Sequence, residues 1–134
     1  MSQMVQSGLT DVTGTVQTSA ATTAITHFIY AQQAGAGTST LGTVGAGKRW
    51  LIISMDLSVG TAGGNGANGY LSLNGEKAAY CYPQSSVGSS FVEHSCLVFN
   101  PAACPILAAG QTVTLTSAAA ITSNACVGYI EESV

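Results

Sequence analysis

Between Lys48 and Val59 the chain alternates with a period of two, and this run constrains the fold more than any other. Leu51, Ile53, Met55, Leu57 and Val59 fall on one side, and Trp50, Ile52, Ser54, Asp56 and Ser58 on the other. That is the pattern of a β-strand with one face in a core. No stretch of comparable length has the 3.6-residue period of a helix, and Ala118–Ile121 is too short to form one.

The same period recurs along the chain. Ile25–Tyr30 is rich in β-branched and aromatic residues. Ser90–Phe99 places Val92, His94, Cys96 and Val98 on one face and Phe91, Glu93, Ser95, Leu97 and Phe99 on the other. Gln111–Ser117 sends Val113 and Leu115 inward and Thr112, Thr114 and Thr116 outward, and Ala125–Glu132 closes the chain. Tyr70–Leu73 and Glu76–Tyr82 flank Asn74-Gly75, a pair that favours a two-residue hairpin turn because both positions need positive φ. Ala34–Thr40 is a Gly/Ala/Thr stretch, and Gly60–Gly69 reads as a loop. Many short strands between turn signals predict an all-β fold: a seven- or eight-stranded antiparallel β-sandwich, jelly-roll-like, over residues 25–134. At 134 residues one domain is expected.

Residues 1–24 differ from the rest. They are Ser-, Thr- and Gln-rich, with Val5, Leu9, Val12 and Val16 thinly spaced among them. They predict an extended N-terminal arm whose four apolar side chains form an interface with a neighbouring subunit.

Charge narrows the function. Lys, Arg, Asp and Glu make up 7% of the chain, against roughly 25% in ordinary soluble proteins. A free monomer normally keeps charge on its surface, so a chain this uncharged suits an assembly. The only cations among Lys and Arg are Lys48, Arg49 and Lys77, too few for the counterion release that drives nucleic-acid binding, and a poor match to an anionic membrane. No basic cluster leads into an apolar run at the start, and no apolar stretch reaches membrane-spanning length.

Candidate chemistry is sparse. Gly42–Lys48 fits the G-x-x-x-x-G-K of a phosphate-binding loop, yet Arg49 stands where Ser or Thr would hold Mg²⁺, and a strand follows instead of a helix. No nucleotide is expected. Cys81, Cys96, Cys104 and Cys126 contain no C-x-x-C pair and read as buried free thiols, with one or two disulfides as the alternative. His94, beside Cys96 and Val98, reads as a core or interface histidine more readily than a metal ligand. Asp56 and Glu93 would resemble a glycosidase pair only if the sheet brought them together. Tyr70, Tyr80, Tyr82 and Trp50 form a possible aromatic platform for sugars. No catalytic set, cofactor or metal is expected.

Two short segments echo each other. Val44-Gly45-Ala46-Gly47 and Leu107-Ala108-Ala109-Gly110 each run from an apolar residue through small residues to Gly before a strand, as at equivalent corners of a sandwich. The runs Gly47–Ile53 and Leu107–Val113, with the ending Val127-Gly128-Tyr129-Ile130-Glu131, resemble small β-sandwich proteins of tailed-phage virions, in particular the jelly-roll capsid decoration, or cement, proteins. The resemblance spans residues 25–134 and lies in turn–strand patterns. It implies a virion protein on the capsid surface, assembled in the host cytoplasm, with the major capsid protein and copies of itself as partners. Tail-fibre and receptor-binding tips share this style, and a tip recognising a host surface glycan is the alternative.

Overall fold

β-branched and aromatic residues at every second position favour extended backbone, and a sheet so patterned must bury one face. The computed structural model describes residues 26–62, 68–81, 90–118 and 121–134. Those residues form nine strands and no helix: β1 (Thr26–Ala34), β2 (Gly37–Thr43), β3 (Lys48–Ala62), β4 (Gly69–Leu73), β5 (Glu76–Cys81), β6 (Ser90–Val98), β7 (Ile106–Ala108), β8 (Thr112–Ser117) and β9 (Ile121–Ser133). The arm residues Val5, Leu9, Val12 and Val16 lie outside the described residues.

All pairings are antiparallel, in two sheets. The first runs β1-β9-β3-β6, with β7 also on β3; the second runs β2-β8-β4-β5. Leaving aside the three-residue β7, the pairings β1 with β9, β2 with β8, β3 with β6 and β4 with β5 are a hairpin wound upon itself, the jelly roll. The core between the sheets holds Ile52, Met55, Leu57, Val59, Leu71, Val113, Leu115 and Val127, all essentially inaccessible.

The strand count is nine where seven or eight were expected. β2 carries no strand signal in the sequence because it is an edge strand made largely of Gly, Ser and Thr, with no apolar alternation to betray it. β7 is too short to show a period.

The long strand β3 departs from simple alternation. Its register against β9 shifts between Ile52 and Ser54, so Ile53 is the extra residue of a β-bulge. Such an insertion flips the faces beyond it. Trp50 and Ile52 are therefore buried together with Met55, Leu57 and Val59, whereas Leu51 and Ile53, expected in the core, are only partly buried. The bulge falls where β3 changes neighbour, from β7 at Arg49–Leu51 to β6 from Ser54 onward. Ile52 N–H donates to Pro105 O at 2.9 Å and Phe99 N–H to Ile53 O at 2.8 Å, closing the gap between those two pairings.

The Asn74-Gly75 hairpin forms as expected, with φ of 50° and 88° and Leu73 paired to Glu76. The two echoing turns also form, and they lie against each other. Val44 N–H donates to Gln111 O at 3.0 Å, Gly110 N–H donates to Val44 O at 2.9 Å, and both Val44 and Leu107 are buried.

Candidate functional site

The P-loop-like segment is strand, turn, strand. Gly42 ends in β2, Lys48 N–H closes a turn onto Gly45 O at 3.2 Å, and β3 begins at once. Gly42 has a packing role: a Cβ there would stand 2.7 Å from the Trp50 ring and 3.2 Å from Ile29 Cδ1. Lys48 Nζ donates to Ser133 Oγ at 3.1 Å, and Arg49 lies 3.4 Å from Glu132 in a largely solvated ion pair. Both cations thus serve the β3–β9 pairing.

Trp50 does not join an aromatic platform. It is buried, stacks on Tyr129 at 4.0 Å, and donates its indole N–H to Glu131 at 2.9 Å. His27 stacks on the other side of Tyr129 at 5.1 Å. Burial, with the Glu131 carboxylate second, raises the Tyr129 hydroxyl above the usual phenol range. Tyr70 and Tyr80 do pair across β4 and β5, centroids 6.3 Å apart, with Lys77 Nζ 4.4 Å above the Tyr70 ring. Tyr82 lies outside the described residues.

Asp56 and Glu93 are not a carboxylate pair. Asp56 is opposite Cys96 on β6, whereas Glu93 is opposite Val59. Residues 93 and 96 differ by an odd number, so the two carboxylates leave opposite faces of the sheet. Asp56 instead meets His94 Nε2, two residue pairs along, and both side chains are about half exposed. His94 is therefore a surface residue, not a core one. The alternation of β6 was read correctly; the face of His94 and Cys96 looks outward because Leu97 and Phe99 pack on the core.

The thiols divide likewise. All four are free, but only Cys81 is fully buried; Cys104 and Cys126 are half-buried and Cys96 is exposed. The expectation of buried thiols thus fails for three, because Cys96 and Cys126 fall on the outward parity of their strands and Cys104 lies in a turn. Among the described residues no three Cys, His, Asp or Glu side chains could hold a metal ion.

These outward residues converge on one surface, the outer face of the first sheet. Register aligns four rows across it: Gln32, Asn124, Ser58 and His94; Tyr30, Cys126, Asp56 and Cys96; Phe28, Gly128, Ser54 and Val98; and Thr26, Ile130, Leu51 and Ile106. Tyr30 is 78% exposed, Val98 79%, Phe28 56% and Ile106 55%. A hydrogen bond with Cys126 is the main cause that raises the Tyr30 hydroxyl above the usual phenol range. Gln32 Nε2 donates to Asn124 Oδ1 at 2.8 Å. Across the sandwich the second sheet presents Thr38, Thr40, Thr112, Thr114 and Thr116, a polar face in which Thr38 and Thr116 are hydrogen-bonded at 2.8 Å. Sequence reasoning listed most strands of the apolar face separately; which outward sides became neighbours was set by strand order. No protein-family model matches the chain, and no curated protein matches it in sequence.

Proposed function

We propose that this chain is a structural protein of a virion, a capsid decoration or cement protein that stabilises a tailed-phage head by bridging shell subunits. The observation that carries this is the broad outer face of the first sheet, where exposed Phe28, Tyr30, Val98 and Ile106 sit on a chain of very low charge. Solvent-exposed apolar patches of that breadth mark interaction surfaces. A jelly roll with such a face suits repeated contacts with the major capsid protein and with its own copies. Many weak contacts suffice, because linked sites gain avidity. No catalytic role is assigned to any residue.

The second reading is a tail-tip domain that binds a host glycan, and the Tyr70–Tyr80 pair on the second sheet favours it. Lys77 lies over both rings, however, and takes a position a sugar would need. Labelling the protein on native particles separates the two. Label across the whole head surface is the expected result. Label at the tail end alone would overturn the cement reading in favour of the tip, and absence from particles would overturn both.

A further inference from the structure

We propose that the outer face of the first sheet docks on the same face of a second copy of this chain, two-fold, with the row Tyr30, Cys126, Asp56, Cys96 near its centre. The proposal rests on the assembly reading above and names the surface and partner within it.

Most of the apolar exposure falls on one side. Six large apolar side chains are exposed among the described residues: Phe28, Tyr30, Tyr80, Val98, Ile106 and Val134. Four of them, Phe28, Tyr30, Val98 and Ile106, share this face, while the opposite face carries one, Tyr80, beside Tyr70 among threonines.

The size fits a pair. The face is four strands wide, and its β1 and β6 edges are each nine residues long. At about 4.8 Å per strand and 3.4 Å per residue it measures roughly 19 by 30 Å, on the order of 600 Å². Two copies face to face would bury on the order of 1,200 Å², the lower bound of stable interfaces.

The electrostatics are self-complementary. The polar groups described on the face already have partners: Asp56 is hydrogen-bonded to His94, and Arg49 pairs with Glu132 at one end. A two-fold interface places the same patch on both sides. Here each copy brings a carboxylate acceptor, Asp56, and a ring N–H donor, His94, in adjacent rows, so the same hydrogen bond can form between copies as within one. A polyanion such as nucleic acid would find no unpaired Lys or Arg described on this face.

The test uses the full-length chain. Sedimentation equilibrium from about 1 to 200 µM, the range of a micromolar Kd, is expected to show a monomer–dimer equilibrium. Tyr30→Glu and Val98→Glu should each shift it to monomer, while Thr114→Glu on the opposite face should leave it unchanged. In the parent protein, maleimide labelling of Cys96 should slow several-fold as the dimer forms. That readout needs no surface variant to fold. A monomer at all concentrations overturns the proposal. So does an oligomer that withstands both glutamates and leaves Cys96 fully reactive; that result would move self-association to another surface while leaving the cement reading standing. Particle labelling tests the cement reading separately.

Discussion

At the scale of single residues, the buried thiol of Cys81 ties stability to alkaline pH. Burial first, and the Glu93 carboxylate second, push it from 9.0 to about 11. The folded state therefore favours the protonated thiol, whose S–H donates to Leu57 O at 3.7 Å. Its contribution is intact below pH 9.0 and is lost as pH rises toward about 11, because only the unfolded chain releases the proton readily in that interval. Urea midpoints measured across it should fall, and Cys81→Ala should fall less steeply. Tyr129, raised for similar reasons, adds loss of the same sign at higher pH. A second residue-scale prediction concerns Gly42. With Trp50 only 2.7 Å from where a Cβ would stand, Gly42→Val should cost about 1–3 kcal/mol by overpacking, read as a lower urea midpoint. An unchanged midpoint would mean that Trp50 has room to move.

At the scale of elements, the β3 bulge ranks two adjacent isoleucines. Ile52 is fully buried and Ile53 only partly so. Ile52→Ala should destabilise by about 2–5 kcal/mol, and Ile53→Ala by clearly less. Simple alternation through β3 would give the reverse order, so chemical denaturation of the two variants locates the bulge. The β4–β5 hairpin offers a sharper local test. Gly75 sits at φ 88°, a region a β-branched residue resists by about 1–2 kcal/mol. Gly75→Val should lower Tm by about 4–8 °C. An unshifted Tm would show that the hairpin closes through another turn.

At the scale of the whole molecule, the described strands begin at Thr26, and the period-two alternation of the sequence begins at Ile25. Deleting residues 1–20 is therefore expected to leave the thermal transition within about 2 °C while weakening association with particles. Ordering an extended arm costs about 1–2 kcal/mol of backbone entropy per residue, and the arm proposal has Val5, Leu9, Val12 and Val16 offset that cost against a neighbour. A truncated chain that fails to fold would make the arm part of the sandwich. One that binds particles with full affinity would make it dispensable.

What the sequence determined by itself is local. Period-two alternation set strand identity for β6, β8 and most of β3 and β9, since side chains on extended backbone must take turns facing the core. Asn74-Gly75 set the hairpin, because few other pairs accept positive φ twice. Strand order was decided in the tertiary structure: apart from the β4–β5 hairpin, each antiparallel pairing is a long-range choice that no residue announces. That choice put Tyr30, Cys126, Asp56 and Cys96 in one row, separated Asp56 from Glu93, and joined Asp56 to His94. The Ile53 bulge was hidden for the same reason. It lies where β3 switches from β7 to β6, and an apolar run such as Trp50-Leu51-Ile52-Ile53 fits either face until its neighbours are fixed.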